Sequence, residues 1–102
     1  NIQVKTSTEN KFNAYVFDIR IVSFEKYNQN NSYYVFILRG KETQYLILPY
    51  FEIKKNIDQK NILLINKNTK YRINLKIRER KIYLGNKNND VSYYRNNWEI
   101  IK

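Results

Sequence analysis

Six cations are concentrated in one short stretch of the chain. They are Lys70, Arg72, Lys76, Arg78, Arg80 and Lys81. Alternate residues of a β-strand lie on one face about 7 Å apart, so the first four could follow the phosphates of a nucleic-acid backbone. The alternative is a charged outer face that only keeps a β-domain soluble and protects a sheet edge.

Aromatic residues could complete such a site by stacking on unpaired bases, as in single-strand binders. The candidates for stacking are Tyr33, Tyr34, Tyr83, Tyr93, Tyr94 and Trp98. The alternative is that these rings belong to the hydrophobic core.

A second candidate surface lies near the end of the sequence. It consists of Tyr93, Tyr94, Arg95 and Trp98, residue types that are enriched in the hot spots of protein interfaces. Adjacent residues of a strand point to opposite faces, so at least one of the two tyrosines is expected outward or at an edge. The alternative places Trp98 in the mouth of the folded domain.

The composition argues against most enzymatic chemistry. The chain has no histidine, no cysteine and only two glycines, which excludes His-based triads, thiolate sites and glycine-rich phosphate loops. None of the nine acidic residues forms a paired acid–base motif. Asp18, between Phe17 and Ile19, is expected on the outer face of a strand beside Arg20. We expect no catalytic residue, metal site or cofactor.

The central structural element is the segment that carries the first four cations. Tyr71, Ile73, Leu75 and Ile77 alternate with polar residues over positions 70–78. This period of two predicts a β-strand with one buried and one solvent-facing side.

Other segments supply the neighbours of this strand. Residues 12–24 predict a long strand, and the shift of the apolar phase after Ile21 predicts a bulge or bend. Residues 33–38 are all apolar, which indicates a strand covered on both sides. A turn at Gly40 leads to a return strand at 43–48, which Pro49 ends.

The remaining segments are shorter. The spacing of Tyr50, Ile53 and Ile57 predicts one short helix over 50–58. Residues 62–65, 82–84, 91–94 and 98–101 are extended candidates. Residues 28–32 and 85–90 are predicted loops, and 1–11 are predicted as a flexible arm or short edge strand.

Residues 1–102 therefore predict a single-domain, all-β fold, a small antiparallel barrel with at most one short helix. The strand order over about residues 12–84 resembles the OB-fold, although no sequence motif supports that resemblance. A small Ig-like β-sandwich is the alternative.

Charge and composition bear on partners and compartment. The net charge of +10 is typical of proteins with anionic ligands, but Lys, Asn, Ile and Tyr also accumulate in low-G+C genomes. No apolar run is long enough for a transmembrane segment. The sequence starts without methionine, from which we expect removal of a leader and an extracytoplasmic, secreted or lipoprotein-anchored location. The alternative is an excised internal domain.

These observations favour a non-enzymatic binding module of an exported or surface-associated bacterial protein, acting through protein or surface-ligand contacts. The alternative is an OB-fold-like binder of single-stranded nucleic acid or another polyanion, which uses the basic strand face and exposed tyrosines.

Overall fold

The computed structural model describes residues 1–26 and 31–101 and is mostly β. The strands are β1 (Ile2–Thr8), β2 (Ala14–Arg20), β3 (Tyr33–Arg39), β4 (Thr43–Pro49), β5 (Leu63–Ile65), β6 (Lys70–Arg78), β7 (Lys81–Leu84) and β8 (Asn89–Asp90). The helices are α1 (Ile21–Lys26) and α2 (Tyr50–Asp58), and 3₁₀ turns cover Ser92–Tyr94 and Trp98–Ile100. The all-β prediction is confirmed in this coarse sense.

The smaller sheet has three strands in the order β1-β3-β4. The antiparallel β3–β4 hairpin was predicted from its apolar strands and the turn at Gly40, and it is confirmed. The strand β1 pairs with β3 in parallel, from Ile2 opposite Tyr33 to Thr8 opposite Arg39. This parallel pair departs from the wholly antiparallel barrel that the sequence predicts.

The larger sheet has five strands and is centred on β6. The long strand β2 pairs with one edge of β6, while β5 and β7 share the other edge and β8 lies beside β7. The predicted alternation of β6 is confirmed at its centre, because Ile73 and Leu75 are fully buried. The cations of β6 consequently lie on the opposite, outer side of the sheet.

The main core fills the space between the inner faces of the two sheets. Phe17 of β2 meets Phe36 of β3 edge to face, with ring centroids 4.8 Å apart. Phe24 of α1 stacks on Tyr50 of α2 at 4.5 Å. Such aromatic pairs stabilise a core beyond the area they bury, and here they join the sheets and both helices.

The strand β3 is covered on both faces, as its unbroken apolar run predicts. Phe36 and Leu38 point into the main core. Tyr33 and Val35 point the other way into a second cluster, where Ile100 and Ile101 pack against them. The C-terminal segment, residues 91–101, therefore covers part of the outer face of the smaller sheet.

The two sheets do not close into a barrel. In the part of the chain that is described, β1 and β2 belong to different sheets and share no ladder. They are joined through their connecting turn, where the Asn10 N–H donates to the Ala14 carbonyl at 2.9 Å. The OB-fold-like barrel expected from strand order is thus not confirmed.

The predicted strand over 12–24 is wrong beyond Arg20. The phase change after Ile21 marks the start of a second helix, α1, rather than a bulge. In the helix, the Val22 side chain is 72% exposed and the Phe24 side chain is 1% exposed. A strand would place both residues on the same face. The expectation of at most one helix is therefore also wrong.

The extended segments predicted at 91–94 and 98–101 are wrong as well, because both positions form 3₁₀ turns. This segment crosses the smaller sheet instead of joining it as a strand. Its contacts with β4 include an isolated bridge between Leu46 and Arg95. The predicted loop at 28–32 falls partly on residues 28–30, which lie outside the described residues.

The helix α2 has the predicted bounds and is held by buried asparagines. The Asn61 side-chain amide donates to Asn56 Oδ1 and to the Leu84 carbonyl, both at 2.8 Å. Gly85 allows this close approach, because its φ is +75° and a Cβ there would lie 2.1 Å from the Asn61 carbonyl oxygen. These hydrogen bonds fix the helix against β7 and the turn that follows it.

The alternation of β6 yields the first prediction. Leu75→Ala should lower the free energy of unfolding by about 2–5 kcal/mol, because it empties a fully buried site. The neighbouring Lys76→Ala points outward and should change it by no more than about 0.5 kcal/mol. Urea denaturation followed by circular dichroism measures both. Equal losses would contradict the assigned faces of β6.

Candidate functional site

The outer face of the larger sheet collects most of the predicted cations. We call this surface the basic face, and it consists of Arg20, Lys70, Arg72, Lys76, Arg78 and Lys81. Residues directly opposite each other in an antiparallel ladder lie on the same side of the sheet. The register thus joins cations from β2, β6 and β7 into one surface.

An ion pair occupies the middle of the basic face. Arg72 Nε and Nη2 donate to the two carboxylate oxygens of Asp18, at 2.9 and 3.1 Å. These hydrogen bonds lower the pKa of Asp18, against the opposing effect of partial burial. Asp18 is therefore a structural partner of Arg72 across the ladder, and the charge of Arg72 is largely compensated.

Two like-charge pairs flank this ion pair. Arg20 lies directly opposite Lys70 at one end of β6, and Arg78 lies directly opposite Lys81 at the other. Like charges placed opposite each other destabilise a sheet. Lys70 and Arg78 are eight residues apart, so the two pairs are separated by about 27 Å along the strand.

Between the ion pair and the second like-charge pair lies a tyrosine. Tyr83 of β7 is directly opposite Lys76 and is half-buried. It lines a shallow hollow of about 280 Å³ together with Arg78, Glu79 and Asn88. An aromatic ring beside two cations can bind an anionic group and a planar ring together.

Two further carboxylates lie at this surface. Glu79 lines the hollow beside Tyr83, and Asp90 is held by hydrogen bonds. Asp90 of β8 lies opposite Tyr83, and its Oδ1 accepts a hydrogen bond from the Ser92 N–H at 2.9 Å. The Ser92 hydroxyl and then this backbone contact lower the pKa of Asp90 against a slight effect of burial, with smaller contributions from Lys81 and Arg95. The six cations of the basic face outnumber Asp18, Glu79 and Asp90, so this surface keeps a surplus of positive charge.

Arg80 lies in the two-residue turn between β6 and β7. Both turn residues, Glu79 and Arg80, have left-handed backbone angles, with φ of 50° and 69°. Glycine and asparagine favour such turns, and other residues adopt them at a cost of about 1–2 kcal/mol each. The Arg95 guanidinium donates a hydrogen bond to the Arg80 carbonyl. Arg95 thus links the β6–β7 turn to the C-terminal segment, and the predicted site residue Arg80 lies in that turn rather than on the basic face.

The aromatic residues of the C-terminal segment have different environments. Tyr94 packs against the main core, where burial raises the pKa of its hydroxyl and the nearby Glu52 carboxylate raises it further. Tyr93 is 72% exposed. Trp98 packs on Tyr45 at 5.6 Å and remains 48% exposed. It lies on the outer side of the smaller sheet rather than in the mouth of a barrel.

A shallow groove adjoins Tyr93. We call it the aromatic groove, and it has a volume of about 200 Å³. It is lined by Tyr33, Pro49, Phe51, Tyr93, Tyr94 and Ile100. Phe51 is 63% exposed and was not among the predicted site residues. The helical period could have identified it, because Tyr50, Ile53 and Ile57 form the inner side of α2 and place Phe51 on the outer side.

Of the other two predicted stacking residues, Tyr34 is 1% exposed and belongs to the main core. Tyr33 belongs to the second cluster and also lines the aromatic groove. Sequence reasoning left Arg20 outside the basic cluster, since its position there depends on the register between β2 and β6. In the described part of the chain, no three acidic residues lie close enough together to hold a metal ion.

The Asp18–Arg72 pair yields a pH-dependent prediction. Because the folded pKa of Asp18 is lowered, its stabilisation is present above the unfolded pKa of about 3.9 and disappears as the pH falls through the folded value. Asp18→Asn should cost about 0.5–1 kcal/mol at pH 7 and less at pH 2, which lies below the unfolded pKa. Denaturant titrations at both pH values test this. Asp58→Asn, at the exposed pair with Lys54, is the control, and an equal loss from Asp18→Asn at both pH values would contradict the assignment.

No helix of the described residues is long and apolar enough to cross a membrane. Comparison of the chain with protein-family models, with curated proteins and with solved structures finds no match.

Proposed function

We propose that this domain is a non-enzymatic binding module whose basic face binds single-stranded nucleic acid. The observation that carries the proposal is the register of the larger sheet, which sets Arg20 opposite Lys70 and Arg78 opposite Lys81. Each pair places two cations side by side without a carboxylate directly opposite either of them in that ladder. An anionic group bound between them would remove the repulsion.

The spacing of the cations supports an extended ligand over a compact one. The like-charge pairs are separated by about 27 Å, which several consecutive phosphates of an unpaired strand can span. Binding gains free energy because each neutralised phosphate releases condensed counterions. The central ion pair of Asp18 and Arg72 keeps β2 and β6 in register while the flanking cations remain available.

Tyr83 supports nucleic acid over a polyanion without bases. Its ring lies beside Lys76 and in the hollow with Arg78, so a base could stack there while its phosphates contact the cations. Stacking of a base on an aromatic side chain contributes about 1–3 kcal/mol. A sulfated glycan would use the cations and gain nothing comparable from Tyr83.

A protein partner bound at the aromatic groove is the second candidate function. The observation that favours it is the exposure of Phe51 and Tyr93, at 63% and 72%, around a preformed groove. Large exposed aromatic side chains next to a groove are typical of interface hot spots. The extracytoplasmic location and the relation to OB-folds stay predictions from the sequence.

Charge reversal on the basic face tests the leading proposal. The triple variant Lys70→Glu, Lys76→Glu, Arg78→Glu removes three phosphate contacts and keeps the Asp18–Arg72 pair. Binding of a fluorescent oligothymidylate should weaken by about 100-fold at 0.1 M salt, and the plot of log affinity against log salt should flatten by about 2. Fluorescence anisotropy at several salt concentrations measures both quantities.

The matched control is the triple variant Lys11→Glu, Lys41→Glu, Lys60→Glu. It lowers the net charge of +10 by the same six units at exposed positions outside the basic face. It should weaken binding by no more than about fivefold, through long-range electrostatics alone. Equal losses in the two triple variants would show that only total charge matters and would contradict a site on the basic face.

Tyr83→Leu separates nucleic acid from other polyanions. Leucine keeps an apolar side chain on β7 and removes the stacking surface, so oligothymidylate binding should fall about 5- to 100-fold and heparin binding should stay unchanged. Tyr93→Leu is the control and should alter neither. If Phe51→Ala with Tyr93→Ala weakens oligonucleotide binding while Tyr83→Leu leaves it intact, the aromatic groove is the binding site.

A further inference from the structure

Among the described residues, the strand β1 is hydrogen-bonded along one edge only, to β3. The Asn1 carbonyl accepts from the Tyr33 N–H at 2.9 Å, and the Glu9 N–H donates to the Arg39 carbonyl at 3.1 Å. In a strand, the N–H and C=O of alternate residues point to the same side, so the odd-numbered residues of β1 bond to β3. The N–H and C=O groups of Ile2, Val4 and Thr6 therefore point away from β3.

These outward groups have no hydrogen-bond partner among the described residues. The opposite edge of the same sheet, formed by β4, is partly hydrogen-bonded. There the Asn96 N–H donates to the Tyr45 carbonyl at 2.7 Å, and Arg95 bridges to Leu46. One edge of the smaller sheet is thus partly covered by the C-terminal segment, while the β1 edge remains available for pairing.

The side chains of β1 give this edge a distinct chemistry on each face. Ile2 and Val4 are 48% and 58% exposed and share a face with Tyr33 and Val35 of the second cluster. On the other face, Lys5 is half-buried between the polar side chains of Gln3 and Ser7. A neighbouring strand would meet an apolar strip on one side and a cation on the other.

We infer that the β1 edge binds an extended segment of a protein partner in which apolar and acidic residues alternate. The segment would add a fourth strand to the smaller sheet, with main-chain hydrogen bonds to Ile2, Val4 and Thr6. Its apolar side chains extend the second cluster beside Ile2 and Val4. Its acidic side chains lie next to Lys5, in a domain whose net charge is +10.

Charge argues against a second copy of this chain as the occupant. Symmetric antiparallel pairing of two β1 strands would bring two Lys5 side chains to the same face of the joint sheet. It would also bring together two domains that each carry a charge of +10. The β1 edge is separate from the basic face, and this inference goes beyond the proposed function. Peptide binding at β1 and nucleic-acid binding at the basic face can therefore be tested, and contradicted, independently.

Hydrogen exchange with short peptides tests the inference. The probe is a capped heptapeptide of alternating Val and Glu, and the matched peptide has Lys at every Glu position. In the free protein, the amides of Val4 and Thr6 should exchange quickly and those of Lys5 and Ser7 slowly. The Val/Glu peptide should slow exchange at Val4 and Thr6 and should bind about tenfold more tightly than the Val/Lys peptide.

Two variants make the test specific. Lys5→Glu should reverse the order of the two peptides. Val4→Pro removes an outward N–H without breaking a bond to β3 and should abolish binding of the Val/Glu peptide, whereas Val4→Thr should retain most of it. The inference is overturned if the Val/Glu peptide leaves the amides of Val4 and Thr6 exchanging quickly, or if Lys5→Glu leaves the affinity order of the two peptides unchanged. It is also overturned if the free protein sediments as a dimer in which the amides of Val4 and Thr6 already exchange slowly.

Discussion

The burial of one side of β6 is the constraint on which the rest of the structure depends. Ile73 and Leu75 are fully buried between the two sheets, so the residues that alternate with them must lie outside. The strands paired with β6 on its two edges then determine which side chain lies opposite each cation. The register with β2 sets Asp18 opposite Arg72 and Arg20 opposite Lys70. A shift by one residue would turn the cations inward, so the same burial that stabilises the fold also defines the basic face.

The second organising feature is that β3 is buried on both faces. Its inner residues belong to the main core, and its outer residues need a separate cover, which Ile100 and Ile101 provide. The C-terminal segment that supplies them also contributes to the aromatic groove and covers the edge of β4. Strand β1, on the other side of β3, has no such cover among the described residues. The difference between the two edges follows from where this one segment lies.

Local patterns in the sequence predict much of this architecture. The bounds of β6 and of the 50–58 helix, and the β3–β4 hairpin, follow from periodicity and turn residues that are close together in the chain. The helix α1 was missed because its six residues are too few to show a helical period, and Phe24 and Val22 then resemble a shifted strand. The parallel pairing of β1 with β3 joins residues about thirty positions apart, and no local signal marks it.

In the candidate site as well, local patterns predict some residues, whereas others depend on pairing between distant segments. Lys70, Lys76, Arg78 and Lys81 could be placed on a common face from alternation and the short β6–β7 turn. The ion pair of Asp18 with Arg72 and the position of Arg20 on the basic face both depend on the pairing of β2 with β6. Asp18 and Arg72 are 54 positions apart in the sequence, so no local pattern reveals this pairing. Tyr83 was one stacking candidate among several, and only its position opposite Lys76 distinguishes it from Tyr34, which is in the core.

Mapping of amide chemical shifts during titration with oligothymidylate tests the central claim most directly. A site on the basic face predicts that the largest shifts cluster on β2, β6 and β7, around Arg20, Lys70, Lys76 and Tyr83. Amides of α2 and of the C-terminal segment should change little. Shifts spread over lysines on every side of the domain, or centred on Phe51 and Tyr93, would contradict the account.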